Sequence, residues 1–223
     1  MVAPGGTKPV SAITITSVDD HLRVVATLSD AVDRFALEDS STLQQYLSST
    51  LSYAVQRAIE DQVVNGTGVG EEFHGWASQS GVQVVPAAPD LISGLRSAIT
   101  SLQGVGIVPS FFAVAPGDFE AAQLARNSSG AFDWAVDGSP VNAGRQQAWG
   151  VAVVPTAAVP AGTAWAVGQG AVQLSTDGQM RVDWGTPGTA FEQNQLVARA
   201  ETRANQDILR PSGLVKVTLT AGA

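Results

Sequence analysis

The chain has 223 residues, enough for one large domain or two modest ones, and its 44% hydrophobic and 14% charged residues exclude a disordered chain. The formal net charge of −8, with 12 Lys and Arg scattered along the sequence, argues against a protein that reads nucleic-acid sequence. The absence of cysteine excludes disulfides, thiolate metal ligands and a cysteine nucleophile.

The N-terminal segment combines an arm with two predicted strands. Residues 1–9 are rich in Gly, Pro and Thr, so we expect an arm that is mobile or supported by a partner. The alternating run at 12–16 and the β-branched run at 21–28 are typical of strands. No run in the chain approaches the ~20 apolar residues of a membrane span, so we expect no membrane partner.

A long amphipathic helix is predicted next, over residues 42–63, with a length of about 33 Å at ~1.5 Å per residue. Oxygens at 39–41 can cap its start, and Asn65-Gly66 stops it. One side is apolar, with Leu43, Leu47, Leu51, Val55 and Ile59. The opposite side can face solvent or a partner and carries Gln44, Gln45, Ser48, Gln56 and Glu60.

The remaining elements mix helices with strands. Asp90 opens a second helix, whose apolar stripe is Leu91, Ile92, Leu95, Ala98, Ile99 and Leu102. A buried strand follows at 111–115, and Asp118 is predicted to cap a third helix through about Arg126. Short strands are predicted at V-A-V-V-P, A-W-A-V-G, V-Q-L-S, M-R-V-D-W, 191–203 and 214–219, although the alanines of 191–203 would also suit a helix. This order of elements predicts an α+β protein.

Motifs for catalysis or cofactor binding are weak. The glycine-rich segment 66–70 follows a helix instead of a strand and lacks Gly-Lys-Ser/Thr, so it predicts a helix-ending turn and no nucleotide site. His21 and His74 lack the spacing of metal ligands, and no serine-nucleophile motif is present. The acidic pairs 19–20 and 71–72 are interpreted as solvated surface. We therefore expect no metal, no cofactor and no substrate turnover.

Four phrases in order resemble the HK97-type major capsid proteins of tailed bacteriophages. They are L-E-D-S-S-T-L-Q-Q-Y-L with the helix after it, E-D-Q-V-V-N-G-T-G followed by H-G-W, W-G-V-A-V-V-P-T, and F-x-x-N-x-L-x-x-R-A-E-x-R with Arg210-Pro211. Ala152 stands where the family usually has Pro. Each phrase alone is weakly specific, but the four together span nearly the whole chain.

The resemblance implies an HK97-type fold and a division into domains. Residues 1–20 would be part of an extended loop, namely its returning strand, so the chain is expected to begin inside that loop. The peripheral domain, with a long spine helix and strands, would comprise 21–80 and 181–210. The axial domain would comprise 81–180 and 211–223.

The resemblance also implies a function. The chain would be a major capsid subunit of a phage or prophage, a homo-oligomer whose pentamers and hexamers build an icosahedral shell around double-stranded DNA. It would lie in the virion after assembly in the host bacterial cytoplasm, near DNA without reading it, with decoration or portal proteins as further partners. Two alternatives stay open: an encapsulin-like bacterial nanocompartment shell of the same fold, and a soluble enzyme with an unrecognised site.

Candidate site residues are of two kinds. The assembly interface is expected to include Lys8, Gln45, Gln56, Phe132 and Trp134, although aromatics in the loop 126–147 can equally belong to the chain's own core. By resemblance, Lys8, Asn194 and Glu201 match the lysine, the asparagine and the assisting carboxylate of a Lys–Asn isopeptide crosslink. Asn194 and Glu201 can also be ordinary strand residues, and a non-covalent role is favoured.

Overall fold

The computed structural model describes Val2, Thr7 and residues 20–125 and 146–220. Its helices are α1 (Arg34–Asp39), α2 (Ser41–Asn65), α3 (Leu91–Gly104) and α4 (Pro116–Leu124). Its strands are β1 (Arg23–Leu28), β2 (Val32–Asp33), β3 (Gln83–Ala88), β4 (Pro109–Val114), β5 (Gln147–Ala148), β6 (Val151–Pro155), β7 (Thr163–Gly168), β8 (Val172–Thr176), β9 (Arg181–Gly185), β10 (Gln195–Ile208) and β11 (Leu214–Leu219). The α+β class is confirmed.

The long helix α2 matches its prediction closely. It begins after Ser40, whose side chain accepts a hydrogen bond from the Leu43 N–H at 3.3 Å, and it ends at Gly66. Its apolar side, with Leu51 and Val55, packs on alanines of β10. Small side chains on the strand let the helix lie close to the sheet.

The first sheet is built around the long strand β10. Strand β1 pairs with one edge of β10, and β9 and β8 pair with the other edge, so that Ala200 lies between Thr27 and Val182. Strand β2 extends the β1 side at Gln195. Strand β8 lies within the segment 81–180 of the sequence, yet it joins this sheet.

The second sheet has the order β3-β11-β7-β4-β6-β5. Helix α3 packs on one face through the predicted stripe, of which Leu91, Leu95, Ala98, Ile99 and Leu102 are buried. The Asp90 carboxylate caps this helix, accepting the Ser93 N–H at 2.7 Å. A second apolar cluster includes Trp76 and Trp165 with Val64 at the end of α2, which joins the helix to this sheet.

Two predictions about element boundaries are wrong. The strand expected over 191–203 begins at Gln195 and runs to Ile208, because a 3₁₀ turn at Gly188–Ala190 and further turns precede it. Asp118 does not cap α4, which starts at Pro116 and ends at Leu124. The Asp118 carboxylate instead accepts the Gly162 N–H at 2.7 Å. Among the residues described, no helix is long and apolar enough to cross a membrane.

Candidate assembly surface

The exposed side of α2 carries no charge over its first four turns, where polar side chains stand beside the exposed Tyr46 and Tyr53. The chain has no charged residue from Ser41 to Gln56. Gln45 and Gln56 are about three turns apart and therefore share a face, and both are exposed. Neither side chain hydrogen-bonds within 20–125 or 146–220, so both amides are free to bind a partner.

A second uncovered surface is the face of the first sheet opposite α2, here called the outer sheet face. Side chains alternate along a strand, and directly paired residues share a face. Since Ala198 and Ala200 point to α2, their neighbours point outward. The outer sheet face therefore carries Val24, Ala26 and Leu28 on β1, Arg199, Glu201 and Arg203 on β10, and Arg181 and Asp183 on β9.

The outer sheet face is apolar along its edge and charged in its middle. Val24 and Leu28 are 62% and 64% exposed. Arg199 pairs with Glu201 at 3.1 Å and with Asp183 at 3.4 Å. Arg203, by contrast, has no side-chain partner in the described part of the chain. Exposed ion pairs contribute little to stability, so these charges are better placed for a partner than for the fold.

The crosslink residues are not brought together in one chain. Asn194 precedes β10 and Glu201 lies within it, so about 20 Å of extended strand separates them. Asn194 has a positive φ of 54°, and its carbonyl accepts the Arg34 N–H at 3.0 Å. The Glu201 carboxylate is engaged by Arg199 at 3.1 Å. Lys8, Phe132 and Trp134 lie outside the described residues.

A hydrogen-bonded network at the start of β1 was not foreseen from the sequence. Buried Asn205 accepts from Arg23 and donates to Asp20 at 2.8 Å and to Asp207 at 3.1 Å. Partial burial raises the pKa of Asp20, but hydrogen bonds from the His21 N–H and Asn205 and the charge of Arg23 outweigh it, so the pKa lies below 3.8. Asp20 is exposed, in keeping with its interpretation as solvated surface, and it also binds Arg23 and Asn205. No sequence motif marks the network, because its members are far apart in the chain.

The glycine-rich connector after α2 is closed on itself. The Gly68 N–H donates to the Phe73 carbonyl at 2.9 Å, and the Gly75 N–H donates to the Gly66 carbonyl at 3.0 Å. A Cβ on Gly66 would fall 2.3 Å from the Phe73 carbonyl oxygen. Backbone donors that are used internally cannot cradle a phosphate, which agrees with the predicted helix-ending turn.

Both acidic residues of the pair 71–72, which lie in this connector, have a partner. The Thr67 hydroxyl and N–H both donate to the Glu72 carboxylate, which lowers the pKa of Glu72. His21 contacts the Glu71 carboxylate at 3.3 Å. Across residues 20–125 and 146–220, no group of His, Asp and Glu side chains could hold a metal ion.

A groove of about 440 Å³ separates α2 from the second sheet. Its lining is largely apolar and includes Trp76, Phe111 and Leu174, with Arg57 and Glu60 from α2. The pKa of Arg57 is raised, chiefly by a hydrogen bond to Tyr53. The lining residues contain no acid–base pair of the kind that general catalysis needs.

Comparisons with known proteins agree on one family. The model of the phage capsid family matches residues 2–219. The major capsid protein of Enterobacteria phage HK97 is 24% identical over 237 residues, covering 100% of this chain. The chain spans 58% of that relative's length.

Solved structures share the fold. A structure from Microbacterium phage Oxtober96 has a TM-score of 0.76 at 14% identity, covering 98% of this chain and 79% of its own. The capsid of an empty GTA particle has a TM-score of 0.71 at 15% identity, covering 96% and 80%. The resemblance seen in the sequence is confirmed: the chain has the HK97-type fold and belongs to the phage capsid family.

Proposed function

We propose that this chain is the shell-forming subunit of a phage head and acts as a structural protein without substrate turnover. The match of the family model to residues 2–219 carries this proposal. Pentamers and hexamers of the chain would close into an icosahedral shell through repeated heterologous contacts. The low charged content of 14% suits a subunit whose flanks are covered by neighbours.

The surfaces that support assembly are exposed and offer amides, apolar side chains and charges for non-covalent contacts. Gln45 and Gln56 offer free amides on α2, and the outer sheet face offers an apolar edge beside charges. Lys8, Phe132 and Trp134 are proposed as further contact residues on sequence grounds alone. The division into a partial extended loop at 1–20, a peripheral domain and an axial domain is proposed with the bounds given above.

The shell would enclose double-stranded DNA without binding it specifically. The net charge of −8 supports proximity to DNA over specific binding, since phosphate neutralisation needs clustered cations. Assembly would take place in the host bacterial cytoplasm, and the product would be the virion. Decoration or portal proteins would bind the finished shell.

A non-covalent shell is favoured over a crosslinked one. Roughly 20 Å of strand between Asn194 and Glu201 means that Glu201 of the same copy cannot assist at Asn194. Glu201 is also held by Arg199 in an ion pair at 3.1 Å, which competes with a role in taking up a proton. Crosslinking through Lys8 and Asn194 is therefore the second candidate, kept for the gel experiment below.

Electron microscopy of the purified chain, with a boiled denaturing gel of the same sample, tests the proposal. Closed shells are expected, and the boiled sample should run as a single monomer band. A ladder of dimer and higher bands that disappears in Lys8→Ala or Asn194→Ala would establish the crosslinked alternative. Particles that carry a protein cargo and no DNA when isolated from cells would favour the nanocompartment, and a strictly monomeric chain would contradict a shell.

A further inference from the structure

One end of the first sheet forms a tip that is both acidic and aromatic, here called the peripheral tip (residues 30–39 and 188–194). The two segments meet where the Arg34 N–H donates to the Asn194 carbonyl at 3.0 Å and Asp33 pairs with Gln195. Phe35 and Phe191 project from it and are 62% and 77% exposed. Single exposed apolar residues are ordinary, but two exposed phenylalanines on one tip make an apolar patch, which favours contact with a partner.

The charge of the tip is one-sided. It contains Asp30, Asp33, Glu38, Asp39 and Glu192 against a single cation, Arg34. Asp33 caps α1 and Glu38 pairs with Arg34 at 2.7 Å. The carboxylates of the other three acids have no partner in the segments that the structure covers. The tip therefore presents uncompensated negative charge beside two aromatic rings.

The outer sheet face has the opposite character at its far end. Among residues 20–125 and 146–220, the Arg203 side chain has no partner. The Arg181 side chain donates only to the Gln179 amide oxygen in that part of the chain, at 3.2 Å. Val24 lies directly opposite Arg203 on β1 and is 62% exposed. Guanidinium groups without an acidic partner, beside apolar surface, are the complement of free carboxylates beside phenylalanines.

The two surfaces cannot meet within one copy. Asn194 at the tip and Arg203 at the far end are separated by about 30 Å along the extended strand β10. A contact between them therefore joins two copies head to tail, which is the heterologous arrangement that builds rings and closed shells.

We infer that the outer sheet face of one copy receives the peripheral tip of a second copy. Phe35 and Phe191 pack on the apolar edge at Val24, while the free tip carboxylates meet Arg181 and Arg203. The inference rests on the proposed shell function, because it names a contact by which subunits associate. It needs no ligand other than the chain itself.

Cysteine pairing tests the contact without background, since the natural chain has no cysteine. Two full-length chains of different tag length, one with Val24→Cys and one with Phe191→Cys, are mixed reduced and then oxidised. A disulfide requires Cα atoms within about 7 Å, so a mixed dimer on a non-reducing gel reports contact. The matched control replaces Val24→Cys by Val108→Cys, because Val108 is 64% exposed but lies outside the outer sheet face.

The expected result is a mixed dimer from Val24→Cys and Phe191→Cys that exceeds both same-variant dimers and the Val108→Cys control. Adding Arg203→Glu to the Val24→Cys chain should lower the yield of the mixed dimer roughly tenfold. Adding Glu192→Arg to the Phe191→Cys chain should restore that yield. A mixed dimer no stronger than the control, or no rescue, overturns the inference.

Microscopy of the unsubstituted chain separates this inference from the proposed function. Shells without the specific mixed dimer would remove the contact and keep the function. The mixed dimer without shells would keep the contact and remove the function. If neither forms, both are wrong.

Discussion

Gly94 of α3 lies directly against Val217 of β11: a Cβ placed on Gly94 would fall 2.6 Å from the Val217 Cγ1 and 2.9 Å from the Ala88 Cβ. At Gly94 the backbone of α3 thus lies directly against side chains of the neighbouring strands β11 and β3. Glycine inside a helix costs about 0.5–1 kcal/mol relative to alanine. Close packing of α3 on the second sheet therefore offsets that cost at this position.

Substituting Gly94→Ala should destabilise the chain, although alanine favours helices. The added methyl group must push Val217 or the helix aside, and overpacking of this kind costs about 1–3 kcal/mol. Gly104→Ala, at the end of the same helix, is the matched control, because a Cβ there meets nothing within 4 Å. Urea unfolding should show a lowered midpoint for Gly94→Ala and an equal or raised one for Gly104→Ala. Equal gains in both would contradict the close packing.

Much of the fold is predictable because periodic patterns specify it locally. The apolar stripe from Leu91 to Leu102 marks α3. The leucine repeat marks α2, which spans Ser41–Asn65 in the structure and 42–63 in the prediction. The short elements α1, β2, β3 and β5 were not predicted. β2 and β5 have only two residues each, too few to show a period, and they are defined by pairing with the longer strands β10 and β6. In β3, Pro86 interrupts the run that would mark a strand.

The candidate surfaces were harder to foresee. The alternation of Ala198, Arg199, Ala200 and Glu201 predicts a strand with two unlike faces, but only the partner strands show that Val24 and Arg203 lie side by side. The network around Asn205 joins residues more than 180 positions apart, and no local pattern encodes such a pairing. The helices and strands can therefore be predicted from local patterns, whereas the surfaces that they form together depend on long-range pairing.

Ala200→Leu should separate the long helix from the first sheet. Ala200 is fully buried between Thr27 and Val182 and faces the cluster of Leu51 and Val55. A leucine there has no space, and we expect a loss of about 1–3 kcal/mol in unfolding free energy. Ala26→Leu introduces the same side chain on the exposed outer sheet face and should change stability by less than about 0.5 kcal/mol. Equal effects in denaturant unfolding would show that the helix does not pack here.

Asn205→Ala should loosen the start of β1. The substitution removes a partner of the largely buried Arg23 side chain and of the exposed Asp20 carboxylate, and we expect a cost of about 1–3 kcal/mol. Amide hydrogen exchange should then accelerate in β1 more than in the second sheet. Gln173→Ala on the adjacent strand β8 removes an exposed amide and serves as the control. Unchanged protection of β1 in Asn205→Ala would mean that the network contributes nothing.

The contribution of Asp20 should disappear in acid. Its pKa in the folded chain lies below the ordinary 3.8, so the folded chain holds the ionised form more tightly than the unfolded chain does. The stabilisation is therefore fully present above about pH 5 and is lost as the pH falls through the folded pKa. The difference in unfolding free energy between the natural chain and Asp20→Asn should be constant from about pH 5 to 7 and should shrink below about pH 4. A difference that stays constant or grows in acid would mean that Asp20 is not held as a carboxylate by Arg23 and Asn205.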